Sequence, residues 1–213
     1  TDSAGAALTR AGVVVEPRAQ WPTGMPRLGV DVKGRIPEEE RFAEGRALAR
    51  LSDLGWGGRL REVLRTDEEG APVDGPVDPA LGRACVQVLA EWRWAQRPAA
   101  VVSVPSRSRP QLVRSLAGGM AGMGRLPYLG ELDVPEGFPA GGHGGNSAYR
   151  LAAVWEKFRV PPRIAEELER LGGRPVLLVD DLVDSRWTLA VAARALRRAG
   201  SGPVLPLVLA SQG

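Results

Sequence analysis

A single cysteine, Cys85, and a single histidine, His143, stand among 213 residues. One cysteine cannot close an internal disulfide, and Cys85 falls in the apolar period Leu81, Cys85, Val88, Leu89, Trp92, where it reads as a small core residue. The same scarcity leaves too few nitrogen and sulfur ligands for a structural zinc site. Lysine is almost missing as well: of 28 basic residues, 26 are Arg and only Lys33 and Lys157 are Lys. That skew follows genome composition rather than adaptation to nucleic acid. No apolar run approaches the roughly 20 residues that cross a bilayer, and Thr1-Asp2-Ser3-Ala4-Gly5 lacks the basic and apolar regions of a signal peptide. A cytoplasmic protein is therefore expected. Nor is there a phosphate loop of the form G-x-x-x-x-G-K-[ST]; the Gly-rich run 118–124 has no Lys behind it, which excludes a nucleotide-driven motor within these residues.

What is present suits an ordinary globular core, with 44% hydrophobic residues. Charge is unevenly divided: residues 1–75 carry 11 basic and 13 acidic side chains, net −2, and residues 76–213 carry 17 and 12, net +5. An anionic ligand is thus expected on the second part. The stretch from Thr66 to Pro79 is acidic and rich in Gly and Pro without an apolar period, and reads as a linker over 67–78. Before it, 1–66 reads as a small N-terminal α+β unit, with a strand at Gly12–Glu16 and helical patterns over Pro37–Leu51 and around Leu60, Val63 and Leu64. After it, 79–213 alternates regularly. Helices are expected over Ala80–Arg97, Pro110–Met123, from Pro162 to Gly172-Gly173, and over Trp187–Ala199, and strands over Ala99–Val104, Leu126–Leu129, Val176–Val179 and Val204–Leu209. Such alternation predicts an α/β domain whose parallel sheet is covered on both faces. The loop 137–146 encloses His143 between two Gly pairs, a composition that suits a mobile lid or a plain exposed loop.

The chemistry concentrates in Val176-Leu177-Leu178-Val179-Asp180-Asp181-Leu182-Val183-Asp184-Ser185-Arg186-Trp187-Thr188. A buried apolar strand delivers two carboxylates, then a turn, then a helix start. In open parallel sheets ligands bind beyond the carboxyl ends of the strands, and a helix start offers free N–H groups to an anion. Paired acids beside an anion cradle suit a phosphorylated, hydroxyl-bearing ligand. The simpler alternative is that Asp180 and Asp181 solvate a strand end while Asp184 or Ser185 caps the helix. Upstream, Arg107 and Arg109 follow another buried strand, and their guanidinium groups match phosphate oxygens bidentately. Arg186 beside Trp187 is also a pair able to stack on a base and neutralise a phosphate.

The run Asp180 to Thr188 resembles the diphosphoribosyl-binding fingerprint of type I phosphoribosyltransferases, and Val101 to Arg109 looks like the first core strand and pyrophosphate-facing loop, closest to the ComF-type group. The segment Asn146 to Val160 is similar to one in the same group. The resemblance implies that Asp180 and Asp181 hold ribose hydroxyls, that Asp184, Ser185, Arg186, Trp187 and Thr188 enclose a 5-phosphate, that Arg107 and Arg109 meet pyrophosphate or DNA phosphates, and that Mg²⁺ accompanies a phosphoribosyl ligand. Arg186 stands where the family has Gly, followed by bulky Trp187. GVVVEPRAQWPTGM, GRALARLSDLGWGGRLREVL and VLLVDDLVDSRWTLAVAARALRRAG are together also similar to the carboxyl-terminal region of a subset of bacterial RecQ-type DNA helicases. This second resemblance implies an accessory module in DNA repair or recombination, partnered by DNA and by a helicase motor on the same polypeptide. An active phosphoribosyltransferase and a purely structural interaction domain are the alternatives. The chain opens on Thr1 rather than Met, which fits a piece of a longer polypeptide and also fits processing.

Overall fold

A computed structural model describes residues 12–140 and 144–213. His143 and its adjoining glycines 141 and 142 lie outside the described residues, so the expected lid is not among them. The sheet strands are β1 (Val13–Val15), β2 (Gly45–Arg50), β3 (Ala100–Ser103), β4 (Tyr128–Glu131), β5 (Val176–Val183) and β6 (Val204–Ser211), in the order β1-β2-β6-β5-β3-β4. Every neighbouring pair is parallel except β1 with β2. The α-helices are α1 (Trp56–Val63), α2 (Pro79–Glu91), α3 (Pro110–Gly124), α4 (Ser147–Val154), α5 (Pro162–Arg170) and α6 (Trp187–Arg198).

This is an α/β molecule with a mostly parallel sheet, consistent with a Rossmann-like or phosphoribosyltransferase-like fold. The strand composition explains it: the interior strands β3, β5 and β6 are runs of Val, Leu and Ala that need cover on both sides. Even-numbered residues of β5 such as Val176 and Leu178 enter one apolar layer with Leu151 of α4, Ile164 and Leu168 of α5, and Leu189, Ala192 and Leu196 of α6. Odd-numbered Leu177 and Val179 enter the other, with Leu60 of α1, Leu81, Cys85 and Val88 of α2, and Leu112 and Leu116 of α3. No described helix is long and apolar enough to cross a membrane.

Three features depart from the sequence reading. The segment 37–51, expected to be helical, contains a short 3₁₀ turn at Glu38–Glu40 and then β2, which pairs in parallel with β6 from Arg46↔Leu207 to Arg50↔Ser211. Long-range pairing outweighs a local helical pattern here because the small residues Gly45, Ala47 and Ala49 fit the close approach to β6; a Cβ on Gly45 would lie 2.7 Å from the Pro206 carbonyl oxygen. Residues from before and after the acidic stretch therefore share one sheet. That stretch is itself packed: Val73 N donates to Arg65 O at 3.1 Å and Val77 N to Ser115 Oγ at 2.7 Å. The expected Ala80–Arg97 helix ends at Glu91, where Trp92 turns to extended backbone and buries its ring.

Candidate functional site

The chain runs outward from β3 to β4 and then returns to place β5 on the other side of β3. The carboxyl ends of β3 and β5 therefore meet at a topological switch point, where connections leave in opposite directions, the place at which open α/β sheets bind ligands. The β3–β5 ladder closes at Ser103↔Val179, with Val104 N donating to Val179 O at 2.9 Å. Asp180 is the first residue beyond that last rung. β5 does not stop there as expected; it continues through both acids because β6 still pairs with it at Asp180↔Val208, Leu182↔Ala210 and Val183↔Ser211. Both acids thus sit on rigid backbone at an edge that β3 has vacated. Asp180 Oδ1 accepts from Asp181 N and Asp181 Oδ1 from Leu182 N, each at 2.8 Å.

Asp180 is only 6% exposed. Burial raises its carboxyl well above the ordinary carboxylate range, the charge of Asp181 raises it further, and the ammonium of Lys157 opposes them. Lys157 is displaced downward by its own burial and then by Arg107, with Asp180 pulling the other way. Two acids and two bases from separate parts of the chain are therefore gathered around this crevice. Lys157 follows Glu156, whose positive φ of 58° turns the backbone after α4. Arg107 reaches across to Phe138 O at 3.3 Å. Arg109, expected beside it, points elsewhere: its Nη2 donates to Leu64 O at 2.7 Å and Arg65 O at 3.1 Å, holding the end of α1.

The turn after β5 leads directly into α6. Arg186, the residue preceding the helix, adopts φ 69° and ψ 2°, the left-handed conformation that glycine takes most readily. Hence the backbone shape expected of a glycine survives at this position with arginine in it. A non-glycine residue there costs on the order of 1 kcal/mol or more, and two reciprocal contacts offset it. Arg186 Nη1 donates to Glu16 O at 2.8 Å, while Arg18 Nε and Nη2 donate to Ser185 O at 3.1 and 2.8 Å. Arg18 also lies 4.6 Å above the Trp187 ring. Its guanidinium is displaced downward by burial and then by Arg186. Asp184 is exposed and paired with Arg150 at 3.3 Å. Ser185 Oγ accepts from Trp187 N at 3.4 Å, and Arg186 supplies no side-chain cap to the helix.

Trp187 is a correction to the sequence reading of a base-stacking surface. Its ring is 1% exposed, stacks on Trp21 at 6.2 Å and donates through Nε1 to Ser147 Oγ at 2.8 Å. The bulky residue after the turn fills the core beneath it and leaves no face for a base; its backbone N–H donates to Ser185 Oγ at the helix start. Arg18 and Lys157 are the polar participants that the sequence alone did not single out. Arg18 has no local motif around it, and its partner lies 167 residues away.

Among the described residues no cluster of three or more His, Cys, Asp or Glu forms a protein-only metal cage. Asp180 and Asp181 fit a cation shared with ligand oxygens, which is how Mg²⁺ commonly binds phosphates. Two grooves have linings that do not include the acid pair. One of about 560 Å³ is lined by Phe138, Trp155, Phe158 and Arg194, and one of about 540 Å³ by Glu166, Glu169 and Arg198. No protein-family model matches the chain, and no curated protein matches it.

Proposed function

We propose that this chain is a binding module for a phosphorylated, hydroxyl-bearing ligand, a nucleotide or sugar phosphate, held at the β3–β5 switch point. The observation that carries the reading is the buried Asp180, set with Asp181 on strand backbone that runs into an arginine-bearing turn and a helix start whose N-cap residue, Arg186, makes no side-chain cap. Ionised carboxylates accept from vicinal hydroxyls, and the N–H groups of a helix start donate to an anion. In this reading Asp180 and Asp181 hold the sugar, and the backbone of Ser185, Arg186, Trp187 and Thr188 holds the phosphate, with Mg²⁺ entering on the ligand.

The resemblance to the carboxyl-terminal region of RecQ-type helicases supplies the setting: an accessory module of a DNA repair enzyme whose phosphoribosyl-type pocket binds a nucleotide or a nucleic-acid phosphate. Binding is favoured over transfer of a phosphoribosyl group. Arg186 replaces the loop glycine, and Arg109 is committed to the Leu64 and Arg65 carbonyls rather than to a leaving pyrophosphate. The test is titration calorimetry, with Mg²⁺, of ribose 5-phosphate, nucleoside 5′-monophosphates, 5-phosphoribosyl diphosphate, and single-stranded and forked DNA. Binding that disappears in the Asp180→Asn, Asp181→Asn double variant supports the reading. Failure of every ligand to bind removes it, and pyrophosphate release with a base would establish the transferase instead.

A further inference from the structure

The crevice is flanked by two turns, each feeding a helix of twelve or more residues: 104–109 into α3 and 184–186 into α6. Both could present amides to an anion, but the two ends differ. At α3 the place is already filled by the protein's own carboxylate. Asp74 Oδ2 accepts from Gln111 N at 3.0 Å, and Oδ1 accepts from Leu112 N at 3.1 Å and Gly75 N at 2.8 Å. The preceding amide, Arg109 N, donates to Ser106 Oγ at 2.9 Å, and Pro110 has none to give. Asp74 is held in place by its neighbours, through Val73 N to Arg65 O and Val77 N to Ser115 Oγ, while Arg109 clamps the same strap at Leu64 O and Arg65 O. At α6, among the described residues, no carboxylate takes the helix amides. The turn carries Arg186 and Asp184, the latter paired with Arg150, is backed by Arg18, and has one amide, Trp187 N, donating to Ser185 Oγ at 3.4 Å.

We propose that Asp74 is a specificity-determining residue, an internal anion that occupies the α3 end of the crevice and restricts the site to ligands with one phosphoryl group, seated at α6. The inference rests on the binding function proposed above and names its ligand class: a phosphomonoester of a sugar or nucleoside, rather than a sugar carrying a diphosphate at its far end. A second phosphoryl group at α3 would meet amides already taken and a carboxylate of like charge, and such juxtaposition is strongly unfavourable.

The experiment compares ribose 5-phosphate with 5-phosphoribosyl diphosphate by calorimetry with Mg²⁺, on the whole chain and on two variants. Asp74→Ala vacates the α3 amides. Glu68→Ala removes the same charge from an exposed position in the same strap. In the wild type the monophosphate should bind as tightly as the diphosphate or tighter, within about threefold. Asp74→Ala should raise diphosphate affinity about fivefold or more and leave ribose 5-phosphate unchanged, while Glu68→Ala changes neither. A wild-type preference for the diphosphate of about tenfold overturns the inference, as does an equal gain in both variants, which would be a general charge effect. If Asp74→Ala does not fold, Asp74→Asn, which retains one carbonyl acceptor, takes its place, and the wild-type ratio decides on its own. Absence of binding by both ligands would instead remove the underlying function, a result distinct from diphosphate preference.

Discussion

Replacing Asp180 with Asn should make the protein more stable at neutral pH and less able to bind its ligand. The wild-type carboxyl is buried at the end of the β3–β5 ladder, with Asp181 alongside and Lys157 as the opposing charge. Burial and Asp181 together outweigh Lys157, so the group is displaced upward from its ordinary value of 3.8. Holding a charged or polar group away from water without full compensation costs on the order of 1 kcal/mol or more. The folded chain retains a proton that the unfolded chain releases, so stability is fully present below the unfolded value near pH 4 and is lost as pH rises through the raised folded value. Asn keeps the shape and the oxygen that accepts from Asp181 N, but carries no charge to desolvate. The variant should therefore gain at least about 1 kcal/mol at pH 7.5, or about 2–4 °C in Tm for a chain of this size. That gain should shrink to nothing as the pH falls toward 4. Thermal melts of both proteins across that range, followed by circular dichroism, provide the assay. A lower Tm for Asp180→Asn at pH 7.5 would refute the reasoning, because it would mean that the ionised carboxylate is a structural partner of Lys157 rather than a group held at a stability cost for ligand binding.

Arg18→Ala removes two hydrogen bonds to Ser185 O and the contact over Trp187, and should cost about 2 kcal/mol and about 4–8 °C in Tm. Amide exchange at residues 184–187 should rise with it, and an unchanged exchange pattern would show that the N-terminal segment does not hold the turn. Burial pushes the Cys85 thiol up to about 12, so at pH 8 only about one molecule in ten thousand carries the reactive thiolate. Iodoacetamide should leave the native protein unlabelled and modify it fully in guanidinium chloride; rapid native labelling would place Cys85 outside the core.

The parts of the fold visible in the sequence are those fixed by local pattern. The apolar runs of β3, β5 and β6 and the amphipathic stripes of α3 and α6 have periods that survive packing, so their boundaries shift by only a few residues. β2 was hidden because Gly45 to Arg50 is short and alanine-rich; its strand conformation is chosen by β6, a partner more than 150 residues away, and not by its own period. The site divides in the same way. Asp180, Asp181 and the turn before α6 are contiguous and could be read together. The strap that brings Asp74 to α3, the reach of Arg18 to Ser185, and the burial of Trp187 against Trp21 all depend on contacts that chain position does not encode. Arg109 illustrates the converse: its place after a buried strand suited phosphate binding, but packing against α1 directed its guanidinium to backbone carbonyls.

The central claim is most directly tested by a crystal structure of the protein soaked with ribose 5-phosphate and Mg²⁺. The account predicts the phosphate over the amides of Arg186, Trp187 and Thr188, with the ribose hydroxyls within hydrogen-bond reach of Asp180 and Asp181. Ligand density in the groove beside Trp155 and Arg194, with the Asp180 crevice empty at saturating concentration, would contradict it.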